Sequence, residues 1–383
     1  MTIGILTLPL HTNYGGILQN YALQQVLKRD GHSVETIDYS GYNVSNIRLF
    51  LYNIKEDIKD ILFPQRLMLP YNPNERELKV IRRNTNCFIE KYISKTKPLY
   101  APAVFDDIVK NNTYSAYVVG SDQCWRPKYN VPFLQEMFLH FANKQSGVKR
   151  IAYAASFGTS EWEFPEDITK MCAMLVRKFD LVTVREKSGI ELCKEHFGIE
   201  AKHVLDPTLL LDKEDYIKLV ENESEPRSEG TLFYYILDPS EGKKALIEEV
   251  ASKMKLDPFT KMPKYQAENR IKYDVKRRIK DCIFPSVTAW LRAFMDAEMV
   301  IIDSFHGAVF SIIFNKPFWV IGNSKRGNAR FDSLLGLFGL EDRMIIAGED
   351  IEWGKPIDWS SVNGILKKER IKSKTLLQKT LNK

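Results

Sequence analysis

The stretch Ser304-Phe305-His306-Gly307 carries the sharpest single chemical signal in the chain. It follows a short apolar run, 299–302, that reads as a buried strand. Serine is a favoured helix cap, so Ser304 places His306 in the first turn of a helix. There the imidazole faces the helix's positive end and any anion bound to it. Histidine changes charge near neutral pH, so His306 is a candidate acid and base; a structural histidine is the plainer reading. Arg185 follows another apolar run, 181–184. Arginine grips carboxylates and phosphates with two parallel hydrogen bonds, so it is either an anion ligand or an ion-pair partner of Glu186 or a neighbour. Lys325 and Arg330 are further cationic candidates beyond the run 318–321, or else exposed loop charges. Asn13-Tyr14-Gly15-Gly16 is either an anion cradle, with backbone amides at a helix start, or a tight turn. Polar side chains follow two more runs: Ser121, Asp122 and Gln123 after 116–119, and Ser156 after 150–155.

These residues share one position in the pattern, just beyond an apolar strand. Residues 3–8, 34–38, 116–119, 150–155, 181–184 and 203–205 predict a first set of strands. Residues 232–237, 299–302 and 318–321 predict a second. Short apolar runs alternating with helical periodicity imply parallel sheets. In open α/β sheets ligands bind beyond the carboxyl ends of the strands, where the polar residues above gather. The expected fold is α/β, with residues 1–215 as one Rossmann-like domain and 216–360 as another. Residues 221–230 are polar and breaker-rich and read as a surface linker. Residues 41–113 read as a helical excursion, with helices over 51–62 and 76–93. Trp125 belongs to the core or stacks on a sugar.

Composition excludes several classes. The chain has 383 residues, 44% hydrophobic and 27% charged, which is ordinary for a globular protein. Its net charge is +6, and residues 366–383 carry all of it, with seven Lys or Arg against one Glu. The neutral remainder argues against nucleic acid as a partner. The basic 361–383 segment reads as a solvated helix or frayed end, or as a peripheral contact for an anionic membrane surface. Five widely spaced cysteines without Cys-x-x-Cys fit a reducing cytoplasm. The N-terminus has no signal-peptide pattern, and no run of about 18 apolar residues occurs. There is no Gly-x-Gly-x-x-Gly. Gly322 to Gly327 has a Walker-like spacing, but Asn328 stands where the lysine should be. No His-Glu-x-x-His, His/Cys cluster or Asp-x-Asp points to a metal.

Several segments together resemble the polysaccharide pyruvyl transferase family. They are Asn13-Tyr14-Gly15-Gly16-Ile17-Leu18-Gln19-Asn20-Tyr21-Ala22-Leu23-Gln24, Gly120-Ser121-Asp122-Gln123-x-Trp125, Arg185-Glu186 and Asp206-Pro207-Thr208-Leu209-Leu210. Ser304-Phe305-His306-Gly307-x-x-Phe310-Ser311 and Asn315-x-Pro317-Phe318 complete the set. The resemblance spans about residues 3–340, with the motifs in the family's order. It implies two Rossmann-like domains facing a cleft, as in the GT-B arrangement. It also implies phosphoenolpyruvate as donor, no cofactor or metal, and a sugar of a surface polysaccharide or its precursor as acceptor. The product would be a cyclic pyruvate ketal, with phosphate released. On this reading His306 is the acid/base, and Arg185 and Lys325 hold the donor's negative groups. Asn13, Gly15, Gly16, Ser121, Asp122, Gln123, Ser156, Ser304, Gly307 and Arg330 shape the donor or acceptor pocket. One departure is Gly16, where some members carry an acidic residue. Lipid linkage of the acceptor stays open.

Two other readings compete. A GT-B-type glycosyltransferase would use a nucleotide sugar on the same fold. A non-catalytic member of the family would act as a binding or scaffold subunit.

Overall fold

The computed structural model describes residues 1–39, 68–98, 105–111, 114–130, 133–267, 270–322, 328–345 and 351–382, with a few positions between 55 and 65. The chain begins with strand β1 (Thr2–Leu6), helix α1 (Tyr14–Arg29) and strand β2 (Ser33–Thr36). Two short elements follow, strand β3 (Pro70–Tyr71) and helix α2 (Glu75–Ile81). Then come β4 (Ala116–Val119), β5 (Lys149–Ala155), β6 (Leu181–Val184) and β7 (Lys202–His203). These build a parallel sheet of order β2-β1-β4-β5-β6-β7. The second sheet uses β8 (Leu232–Tyr235), β9 (Pro258–Phe259), β11 (Met299–Ile302), β12 (Phe318–Ile321) and β13 (Met344–Ile345). Its order is β13-β12-β11-β8-β9, again all parallel. Between them in sequence, β10 (Arg270–Ile271) pairs antiparallel with β3.

Each sheet reverses its winding once. In the first the reversal lies between β1 and β4, and in the second between β8 and β11. At such a point the loops leave in opposite directions and a crevice opens beyond the strand ends. The fold is α/β, two Rossmann-like domains facing a cleft in the GT-B-like manner. Residues 221–230 run between the two sheets and are mostly exposed.

Strands β4, β6 and β11 are buried along their whole length, which explains their largely apolar sequences; in β6 the buried Thr183 hydroxyl donates to the Ala152 carbonyl. The domains also share a core. Tyr14 of α1 stacks on Trp290 of the helix Val287–Asp296 at 5.4 Å, and its hydroxyl donates to the Pro285 carbonyl at 3.0 Å. Of the excursion, helices form at 75–81 and 83–92, while most of 51–62 lies outside the described residues. It reaches the second domain through three backbone acceptors: Lys272 N–H donates to Leu69, Phe284 N–H to Ile81, and the Asn84 amide to Phe284.

Two further helices position the site, α3 (Phe305–Ile313) and α4 (Ala329–Phe338). The last helix, α5 (Trp359–Leu381), is no frayed tail. It buries Val362, Leu366, Leu377 and Leu381 and lies back on the first domain. There Arg370 donates to the Leu209 and Leu211 carbonyls, Leu205 N–H to Ser373 Oγ, and Lys149 Nζ to the carbonyls of Thr380 and Leu381. Lys367, Lys368, Lys372 and Lys379 stay exposed on its outer side. No described helix is long and apolar enough to cross a membrane.

Candidate active site

The two crevices open onto one cleft with a cavity of about 340 Å³. From the first domain it is lined by Asn13, Gly15, Asp122 and Gln123, which follow β1 and β4. From the second it is lined by Leu237, Asp303, Ser304 and His306, which follow β8 and β11. Three helices begin here. Asn13 caps α1, its side chain accepting from Gly16 N–H at 3.1 Å, and Ser304 caps α3, accepting from Gly307 N–H at 3.0 Å. Arg330 and Phe331 stand in the first turn of α4. Neither α1 nor α3 carries an acidic residue in its first turn, so their positive ends are left for a ligand.

His306 is buried, and Gly15 is what lets it sit there. A Cβ on Gly15 would stand 2.1 Å from Nδ1 of the ring. Nε2 points inward, buried and without a hydrogen-bond partner, 3.5 Å from Oδ2 of Asp206. That is within reach of charge but longer than an ordinary hydrogen bond. Nδ1 is the ring nitrogen left for the cleft.

Beneath the cleft lies a buried ion cluster. Arg185 is fully buried and donates through Nη1 to Asp206 at 2.8 Å and through Nη2 to Asp122 at 2.8 Å. Its guanidinium stands 4.4 Å over the Phe305 ring. Burial alone would raise both carboxyls. On Asp122 the charges of Arg185, His306 and Arg330 outweigh it, and on Asp206 those of His306 and Arg185 do, so both are held below the usual range. Glu186 goes the other way: burial raises its carboxyl, and one oxygen is occupied by the amides of Phe157 and Gly158. Arg330 is almost wholly buried, and its Nε has no hydrogen-bond partner. Burial, then the like charge of Arg185, lowers its pKa to about 10, so it stays charged at neutral pH. Both carboxylates pair with Arg185, and Arg330, whose charge also acts on Asp122, lines the cleft.

A family model described as polysaccharide pyruvyl transferase matches residues 13–325. The chain belongs to that family. The family description names a transferase. No curated protein matches the chain significantly. Solved structures similar to it include UDP-GlcNAc 2-epimerase from Neisseria meningitidis bound to UDP-GlcNAc, at 9% identity and TM-score 0.49 over 100% of this chain and 94% of that one. The UDP-GlcNAc 2-epimerase of Methanocaldococcus jannaschii is similar at 12% identity and TM-score 0.49, covering 95% and 98%. A UGT transferase from Siraitia grosvenorii in complex with UDP is similar at 10% identity and TM-score 0.43, covering 100% and 94%. None of these bears on the reaction.

Of the residues expected from sequence, Asn13, Gly15, Asp122, Gln123, Ser304, His306 and Arg330 line the cleft. Gly16 and Gly307 lie just behind, as the capped amides of α1 and α3. The helix after β1 begins at Tyr14, so both glycines of the first motif are helical and not loop, because Asn13 supplies the cap. Arg185 departs from expectation: with no exposure and both arms on aspartates it does not reach a ligand in the cleft. Ser121 and Ser156 are also fully buried. The Ser121 hydroxyl donates to the Ala154 carbonyl and lies beside Asp206, and Ser156 Oγ accepts from Gly158 N–H, so both serve the scaffold. Trp125 is core, stacked on Phe138. Lys325 lies outside the described residues. Among the described residues no group of three His, Cys, Asp or Glu side chains could hold a metal ion. Sequence reasoning missed Arg82, Leu78 and Ile81, which the excursion brings into the cleft wall. Asp303 also lines the cleft, paired with Lys243 at 2.7 Å.

Proposed function

We propose that the chain transfers pyruvate from phosphoenolpyruvate to two hydroxyls of a polysaccharide sugar or its precursor, forming a cyclic ketal and releasing phosphate. The observation that supports this best is the convergence of three helix N-termini, Arg330 and His306 on one cleft between the domains. Such a site favours a small, strongly anionic donor. Family membership supplies the reaction class.

In this reading Arg330, the amides opening α1 and α3, and Lys325 hold the phosphate and carboxylate. His306 gives a proton from Nδ1 to the methylene carbon, which becomes the methyl group. The adjacent carbon turns electrophilic, and a sugar hydroxyl adds to it and returns its proton to Nδ1 of His306. Phosphate then leaves by cleavage of its bond to that carbon, and the second hydroxyl closes the ring. Its proton departs with the phosphate, so two hydroxyl protons in all replace the one delivered and the one carried away. A positioned acid of this kind is worth about 10²–10⁴ in rate. Asn13, Asp122 and Gln123 form the polar side of the pocket.

Calorimetric titration of phosphoenolpyruvate tests the donor, with nucleotide sugars as controls. Arg330→Ala is expected to weaken binding at least tenfold, about 1.4 kcal/mol. Nucleotide-sugar binding without phosphoenolpyruvate binding would establish the glycosyltransferase reading instead. Unchanged pyruvylation in cells carrying His306→Ala would establish a scaffold role.

A further inference from the structure

Asp206 opens a motif, Asp206-Pro207-Thr208, that has no part in the steps above. Its carboxylate is nevertheless the most fully engaged in the interior. Oδ1 accepts from Thr208 N–H at 3.0 Å and from the Thr208 hydroxyl at 2.7 Å. Oδ2 accepts from Arg185 at 2.8 Å, with the Ser121 hydroxyl 3.2 Å away. Three donors, two on one oxygen and one on the other, fix the carboxylate plane, and the side chain has no exposure. A carboxylate held this firmly cannot turn away from a neighbour.

The neighbour is Nε2 of His306, at 3.5 Å. That nitrogen is buried and has no hydrogen-bond partner. Were Nε2 unprotonated, its lone pair would face the Asp206 oxygen at close range in a water-poor interior. A proton on Nε2 turns that repulsion into attraction. The hydrogen bond made by one ring nitrogen decides which tautomer the imidazole adopts.

Other charges around the ring do not supply this contact. Asp122 acts on His306 through space, but its oxygens are taken by Arg185 and Asn13. Arg185 sits behind Asp206 and Arg330 lies across the cleft floor, both positive. Glu186 is directed to the amides of Phe157 and Gly158. Asp303 is held by Lys243 and the amides of Leu237 and Asp238. Arg82, Tyr129, Tyr235 and Cys282 complete the titratable lining.

We infer that Asp206 is the positioning residue of His306: its fixed Oδ2 keeps the proton on Nε2 and commits Nδ1 to proton exchange with the occupant of the cleft. Arg185 then acts one step further back, as the clamp that holds Asp206 in place. The inference rests on His306 being the acid/base of the proposed reaction, but its structural half can be read without substrate.

Nitrogen-15 NMR of the histidines makes that reading. There are six in the chain, and the His306 signal is the one lost in His306→Gln. In the wild type the neutral ring is expected to carry its proton on Nε2. In Asp206→Asn the neutral ring is expected to shift toward the tautomer protonated on Nδ1. The kcat should fall with it by roughly tenfold or more, while KM for phosphoenolpyruvate changes little. Asp122→Asn removes an equal share of Arg185's contacts and should shift the tautomer by less than half as much. A neutral wild-type ring protonated on Nδ1 would overturn the inference, and this needs neither asparagine variant to fold. Equal shifts in the two asparagine variants would overturn it too, by reducing Asp206 to a counterion of Arg185. If instead the tautomer is as expected but the protein neither binds nor turns over phosphoenolpyruvate, the positioning stands and the proposed reaction falls.

Discussion

Gly15 packs its backbone against the edge of the His306 ring, so the smallest possible side chain there is a test of the site. A Cβ would lie 2.1 Å from Nδ1, 2.2 Å from Cγ and 2.5 Å from Cβ of His306, and the ring must swing away to admit it. Alanine is otherwise the better helix residue by about 1 kcal/mol, which offsets part of the strain. Gly15→Ala should therefore lower turnover about 100-fold, the scale of a lost acid, with a much smaller change in thermal midpoint; kcat and a melting curve check both. Arg185 calls for the opposite pattern. Removing it leaves Asp122 and Asp206 buried and unpaired, so Arg185→Met should cost about 3–5 kcal/mol in urea unfolding. The same pair sets a pH dependence. Both aspartates have folded-state pKa values below the unfolded one, so their stabilisation is present above about pH 4 and is lost as pH falls below it. Glu186, raised by burial, has the opposite sign and favours the folded state when protonated. Urea midpoints measured from pH 3 to 6 should fall steeply on the acid side in the wild type and more gently in Arg185→Met.

Each helix that opens onto the cleft depends on a cap at a strand end. Ser304 both caps α3 and sits two residues before His306, and a Cβ on Gly307 would stand 2.7 Å from its hydroxyl. Ser304→Ala should cost about 1 kcal/mol of stability, with a loss of kcat larger than that cost explains, read from urea curves and initial rates on the same preparation. Elements of this kind were legible in the sequence. The strands at 116–119, 181–184, 299–302 and 318–321 appear where their apolar runs placed them, because burial on both faces keeps nearly every position apolar up to the ends. The polar residues beyond them were legible for the same reason. What stayed hidden has physical causes too. An arginine at a strand end looks alike whether it meets a ligand or two aspartates, and the aspartates of Arg185 lie 63 and 21 residues away. Strands β3, β9, β10 and β13 are two residues long, too short to show a period. Arg82 enters the cleft only because the excursion pairs with β10 and packs on Phe284, a contact between distant segments that no local pattern announces.

Across the whole molecule, the chain crosses between domains more than once. It enters the second domain through 221–230 and returns along α5, whose basic residues had suggested an independent tail. The return is apolar on its inner side and hydrogen-bonded along its length, so α5 belongs to the first domain's core as much as to the second's. Gln378 donates to Asp30 just beyond α1, and Arg370 pairs with Asp212 near the domain junction. Tyr14, at the opening of α1, adds a second tie through Trp290 and the Pro285 carbonyl. With ties on both flanks of the cleft, the two sheets should not unfold separately. Leu377 has no exposure, and Leu377→Ala should cost about 2–5 kcal/mol, the usual range for a buried leucine. The cost should appear in both domains at once. Trp125 reports on the first domain's core, and Trp319 with Trp353 on the second's. Single-tryptophan versions followed by fluorescence should give coincident urea transitions, shifted together by Leu377→Ala. An earlier transition at Trp125 alone would mean that α5 stabilises only the domain it covers, and that the cleft can open by partial unfolding.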